Sequence, residues 1–214
     1  RPDPELSRPG RLGPGIPEEH HHCLPYQYGF GVDQADPTKV DLTETLKFVD
    51  LCRDLGVKIL NTSAGSPYYT PHLQRPASYP PSDGYQPAYD PLVDLERQIK
   101  AVKEVKERIG ESMIVVGSAY SYLQEYLPHV SQYVLRHAWA DMIGLGRVVL
   151  SYPDILADAA SKGSMVSRQI CRTFSDCTSA PRNGIKSGCY PLDKFYTGMP
   201  EAKRLKEIKK NLGA

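Results

Sequence analysis

"ADMIGLGRVVLSYPD", residues 140–154, holds the reading that decides the fold. Its first half predicts a short buried strand over 141–146, and that strand stops in Gly144-Leu145-Gly146-Arg147. A short helix is expected almost at once, from Pro153 to about Ser161, closed by Gly163. Arginine keeps its charge under ordinary conditions, so a packed strand end gains nothing from it. Glycines there let backbone N–H groups come close to a bound group, and an arginine beside them offers bidentate, charge-assisted hydrogen bonds to an oxyanion. The pattern points to a phosphate. The plain alternative is that Gly146 only permits a turn and Arg147 reaches out to solvent.

Upstream the same order repeats. "SMIVVGSAYS" (112–121) reads as a strand that also ends in glycine, Gly117 followed by Ser118, and a helix is expected from Pro128 to His137. Before it, Asp90-Pro91 gives an N-cap with proline at the first helical position, and the helix buries Leu92, Leu95, Ile99, Val102, Val105 and Ile109 before Gly110 stops it. "VKILNTSAG" (57–65) is a strand, followed by a long loop. "DLTE" (41–44) opens a helix with a relative of the capping box; Leu42, Leu46, Val49, Cys52 and Leu55 share one face, and Gly56 ends it. Residues 1–40 are a loop region dense in Pro, Gly and His, in which "LPYQYGFGV" (24–32) can form a short strand. Residues 41–163 carry the βα units and 164–214 form a C-terminal tail with a helix.

Val- and Ile-rich strands alternating with amphipathic helices predict an α/β fold with a parallel sheet. Two designs compete, a doubly wound sheet and a (β/α)8 barrel. A dinucleotide-binding unit needs G-x-G-x-x-G directly after a strand, and no strand here has it. Glycine at the ends of two consecutive strands, Gly117 and Gly146, fits the barrel, whose last two loops commonly build a phosphate site. Only three strands are placed, so the expectation is a partial (β/α)8 barrel. It is an open arc of parallel neighbours in the order 57–65, 113–118, 141–146, with helices on one face and an apolar inner face that drives association.

Composition narrows the classes. A net charge of +1 over 214 residues gives no electrostatic case for nucleic acid or an anionic membrane, and no apolar run approaches a bilayer span. The sequence opens at Arg1 inside a Pro/Gly-rich stretch without a signal-peptide layout, which reads as a chain entered partway through. Five cysteines do not form a secreted disulfide pattern, so the cytoplasm is the expected compartment.

Four segments in order, "GVKILNTSAGSPYYTPHLQRP", "VVGSAYSYLQEYLPHV", "ADMIGLGRVVLSYPD" and "ICRTFSDCTSAPRNGIKSGCYPLD", resemble the C-terminal half of the Old Yellow Enzyme family, the NADH:flavin oxidoreductases, with 2,4-dienoyl-CoA reductase-like members the nearest in pattern. The resemblance runs from about residue 24 to 196 and implies an FMN-binding TIM barrel, with this chain supplying strands six to eight. It implies that Gly117, Ser118, Gly146 and Arg147 hold the FMN phosphate, and that the loop after the sixth strand, with Tyr68 and Tyr69, rims the substrate pocket. Packing of the two tyrosines against the barrel rim is the simpler alternative.

The departures are as informative. The family's catalytic residues and isoalloxazine contacts belong to strands upstream of Arg1, so none is assigned here. His20, His21 and His22 sit in a Pro/Glu-rich loop and read as solvated. Cys23 lies in the same loop and Cys52 on a buried helical face. Cys171, Cys177 and Cys189 form C-x5-C-x11-C, whereas the resembled reductases bind a [4Fe–4S] cluster with C-x2-C-x3-C-x11-C. The second cysteine falls on Thr173 or Phe174, depending on the direction of counting, so three reduced thiols without a cluster are expected, with Phe174 in apolar surroundings.

The resemblance thus implies FMN-dependent reduction of an activated C=C, with NAD(P)H as reductant and a small-molecule substrate. This chain would be the phosphate-anchoring half, needing the missing N-terminal half-barrel or another chain, and would bind FMN weakly or not at all by itself. The alternative is a non-catalytic truncated fragment or a half-barrel subunit needing a partner.

Overall fold

A computed structural model describes residues 30–33, 39–65, 71–81 and 90–211. In chain order the elements are α1 (Thr43–Asp54), β1 (Ile59–Thr62), α2 (Pro71–Gln74), α3 (Pro91–Ile109), β2 (Ile114–Gly117), a 3-10 segment (Tyr120–Tyr126), α4 (Leu127–Arg136), β3 (Met142–Ile143), a second 3-10 turn (Arg147–Leu150) and α5 (Ile155–Lys162). The tail adds a third 3-10 turn (Ser167–Gln169), α6 (Asp176–Arg182), α7 (Lys194–Thr197) and α8 (Pro200–Asn211).

The three strands form one parallel sheet in the order β1-β2-β3, as the alternation predicts. Ile59 stands opposite Ile114 and Thr62 opposite Gly117; Gly117 in turn stands opposite Ile143. Successive side chains of a strand point to opposite faces. Leu60, Val115 and Ile143 share the covered face and pack into a core with Leu95, Val102, Val105 and Ile109 of α3 and Val49 of α1. The other face leaves Ile59, Ile114 and Met142 at 58%, 38% and 53% exposure.

α3 forms where its signals place it. The Asp90 carboxylate accepts from the Leu92 N–H at 2.8 Å, Pro91 takes the first turn, and Gly110 leaves the helix at φ 58°. Its apolar stripe is shorter than expected, because Leu92 is half exposed in a first turn that precedes contact with the sheet. Leu55 likewise sits past the last turn of α1 and is exposed. The strands are shorter than the apolar runs that announce them, since backbone pairing ends where the chain turns off the sheet. Of 24–32, the part within the described residues makes a lone antiparallel bridge, Val32 to Val40, and does not join the parallel sheet.

One buried ion pair ties the layers together. Lys106 on α3 is buried and reaches Asp141, just before β3, at 2.8 Å. Its ammonium also donates to the Gly110 carbonyl at 2.7 Å, and the same Asp141 oxygen accepts the Val115 N–H of β2 at 2.8 Å. Two smaller cores lie in the C-terminal region: Val148, Tyr152, Ile155 and Ile170 in one, and Ala180, Ile185, Tyr190 and Leu205 in the other. Among the described residues no helix is long and apolar enough to cross a membrane.

Candidate functional site

The C-terminal ends of β2 and β3 meet side by side. The Gly144 N–H donates to the Gly117 carbonyl at 2.7 Å. Ser118 follows β2 and its hydroxyl donates to the Asn61 side-chain oxygen at 2.9 Å, so the ends of β1 and β2 are linked. Gly117 has a packing reason of its own: a Cβ there would lie 3.2 Å from the Tyr120 hydroxyl. That hydroxyl is buried without a hydrogen-bond partner among the described residues, and burial pushes it up to about 12. Gly144 is crowded too, with Val116 Cγ1 3.2 Å from its Cβ position. Among the described residues no atom lies within 4 Å of a Cβ built at Gly146, so none of them fills the space above it. The N–H groups of Ser118, Gly146 and Arg147 meet no backbone carbonyl among the described residues.

The Arg147 side chain does not stay over these strand ends. It turns beneath the tail and donates to the Thr178 hydroxyl. There it enters a cavity of about 310 Å³ whose wall includes Arg75, Arg182, Ser175 and Thr178. Burial and the neighbouring Arg75 charge push Arg147 down to about 10, partly offset by the Cys177 and Cys171 sulfurs. The expected neighbour for an unliganded Arg147, water or a carboxylate, is thus replaced by a hydroxyl, thiols and a second guanidinium. Arg75, directly after α2, donates weakly to Ser175 Oγ at 3.4 Å and Cys171 Sγ at 3.8 Å.

Several contacts fix this arrangement. Gln98 of α3 is fully buried; its amide nitrogen donates to the Leu73 carbonyl and, at 3.3 Å, to that of Gln74, while its oxygen accepts the Ala64 N–H at 3.3 Å. Gln98 therefore positions both the end of β1 and the turn carrying Arg75. Thr173 and Ser175 hold left-handed backbone at φ 54° and 61°, which is costly for a β-branched residue. They are clamped: Thr173 Oγ1 accepts the Ser78 N–H at 2.9 Å, and the Ser175 hydroxyl donates to the Tyr79 carbonyl at 2.6 Å. Arg172 pairs with Glu125 at 2.5 Å and, first among several causes, holds that carboxyl at about 2. Lys209 of α8 reaches Asp176 at 2.6 Å.

Replacing Gln98 with Leu leaves the Leu73 carbonyl and Ala64 N–H unpaired inside the protein. The expected cost is about 1.5 kcal/mol, read from chemical denaturation, with faster proteolysis in the 64–81 turn. Unchanged stability and an unchanged cleavage pattern would show that the glutamine positions nothing.

Cys52, Cys171, Cys177 and Cys189 are free thiols. Burial raises Cys189, which also feels Cys171 and Cys177 electrostatically. Among the described residues no group of three or more His, Cys, Asp or Glu side chains is arranged to hold a metal. Phe174 is half-buried, its ring tilted against Tyr79 at a 5.5 Å centroid separation. Tyr68, Tyr69, Cys23 and the three adjacent histidines lie outside the described residues.

Sequence reasoning names Gly117, Ser118, Gly146 and Arg147, which lie at the C-terminal ends of the neighbouring strands β2 and β3, with the Arg147 side chain turned away from them. It misses Arg75 and Gln98. Arg75 stands in "HLQRPAS" without periodic context, and a polar residue on an apolar helical stripe is the one signal that marks Gln98. No protein-family model, curated protein or solved structure matches this chain.

Proposed function

We propose that this chain is the phosphate-anchoring half of an FMN-dependent NAD(P)H oxidoreductase of the Old Yellow Enzyme type, a partial (β/α)8 barrel covering strands six to eight. The observation that carries the reading is the set of open N–H groups at Ser118, Gly146 and Arg147 on the ends of adjacent parallel strands, with free space above Gly146. Those donors fit the phosphate of FMN: they are backbone groups on a rigid sheet, one of them glycine with room for close approach. FMN held here would supply hydride-transfer chemistry, from NAD(P)H as reductant to an activated C=C as acceptor. The chain's own part is to fix the phosphate end, and Arg147 needs only a rotation of its side chain out of the tail cavity to add its charge. Gln98 and the Lys106–Asp141 pair hold the strand ends in register for that task.

A second reading, a half-barrel subunit or non-catalytic fragment that needs a partner, is favoured by the exposed apolar residues Ile59, Ile114 and Met142 on one sheet face. A missing half-barrel or another chain would cover that face. The isolated chain is accordingly expected to self-associate, and Met142→Lys to shift it toward monomer in sedimentation velocity. A wild-type chain that sediments as a compact monomer with a sharp thermal transition would remove this support.

A further inference from the structure

We propose that the cavity beneath the tail is a second anion site, built to hold the dianionic phosphate group of a small phosphorylated molecule between Arg75 and Arg147. It goes beyond the flavin reading and shares only Arg147 with it. None of Gly117, Ser118 and Gly146 lines this cavity.

The argument starts from charge. Arg147 is largely withdrawn from water and feels Arg75 as a repelling neighbour. Neither arginine makes an ion pair with a carboxylate among the described residues, and Arg182 stands in the same wall. Two guanidinium groups held together in a half-buried space are unfavourable unless an anion joins them. Among the described residues lining the cavity, the polar ones are cations, amide, imidazole and hydroxyl groups, and none is a carboxylate that would repel an incoming anion. Thr178 adds a hydroxyl that can turn to donate to an oxyanion, while the Ser175 hydroxyl is engaged with the Tyr79 carbonyl.

The number of charges selects the ligand class. A phosphate monoester carries about 1.5 to 2 negative charges at neutral pH and has three acceptor oxygens, enough to serve two forked guanidiniums and a hydroxyl together. A single carboxylate would leave one arginine uncompensated. The volume of about 310 Å³ leaves room for more than the phosphate itself, so the rest of a small molecule can enter with it. The strained, clamped turn through Thr173 and Ser175 has a role in this account, since it brings the Ser175 hydroxyl opposite Arg75.

Isothermal titration of the full chain with inorganic phosphate, at ionic strength balanced with chloride, tests this, with acetate as the monoanion and FMN and riboflavin as separate titrants. Phosphate should bind to the wild type at least tenfold more tightly than acetate. Arg75→Gln should weaken phosphate at least tenfold while leaving whatever FMN affinity the chain has unchanged. On the wild type alone, phosphate should protect Arg75 and Arg147 from phenylglyoxal, read by mass spectrometry, so the test survives a variant that fails to fold. Phosphate binding together with FMN that binds measurably but no more tightly than riboflavin would sink the flavin reading and leave this site standing. The site is overturned if phosphate does no more than chloride or acetate. It is also overturned if Arg75→Gln weakens FMN and phosphate together, or if phosphate protects neither arginine.

Discussion

Asp141→Ala should destabilise the protein by about 3 kcal/mol, the low end of the range for breaking a buried ion pair by removing one partner. Lys106 is left buried with the Gly110 carbonyl alone, and the Val115 N–H loses its acceptor. The low end applies because the Asp141 side chain is one-third exposed and water can partly replace it. Lys106→Met should cost less, since the uncompensated group is then the more exposed carboxylate. Burial opposes ionisation of Asp141, and the Lys106 ammonium with the Val115 N–H outweighs it, so its pKa lies below the usual carboxylate range. The sign follows: the stabilisation is complete above the unfolded value near 3.9 and is lost as pH falls through the lower folded value. The deficit of Asp141→Ala against wild type in urea melts should therefore be constant near neutrality and shrink only below about pH 4. A deficit under 1 kcal/mol, or one that varies between pH 6 and 8, would show that the pair does not tie α3 to the sheet.

Arg147→Ala should weaken FMN binding by about 2 kcal/mol, or about 30-fold, wherever the proposed flavin site is complete. The reason is the charge-assisted hydrogen bond to the phosphate, which no neighbouring cation at the strand ends replaces. Flavin should then be lost on dialysis. Because Arg147 faces a like charge in the unliganded chain, its removal should not lower thermal stability without flavin, and that separates a binding role from a folding one. A variant that keeps its FMN with wild-type affinity would refute the phosphate assignment.

The parallel order of the strands was legible because Val/Ile-rich runs and capped helices announce themselves locally. Asp90-Pro91 at one end of α3 and Gly110 at the other fix that helix without any tertiary information. The placement of Gly117, Ser118, Gly146 and Arg147 at one end of the sheet follows from the same order. What the sequence does not reveal is where a long side chain goes. The Arg147 side chain goes to the tail cavity, where it donates to Thr178, 31 positions downstream. Arg75 and the Cys171–Cys177 turn meet only through contacts separated by about a hundred residues, for which no local pattern exists. The exposure of Leu92 and Leu55 has a similar origin, since periodicity marks a helical face but not how far along the helix its partner extends.

We propose that this chain grips a flavin by its phosphate. Flavin-fluorescence titration of the chain with FMN and with riboflavin, which differ only in that phosphate, tests it most directly. The account predicts weak binding of FMN, riboflavin at least tenfold weaker, and loss of the difference in Arg147→Ala. Equal behaviour of the two flavins with the wild-type chain, or a preference for FMN that survives in Arg147→Ala, would contradict it.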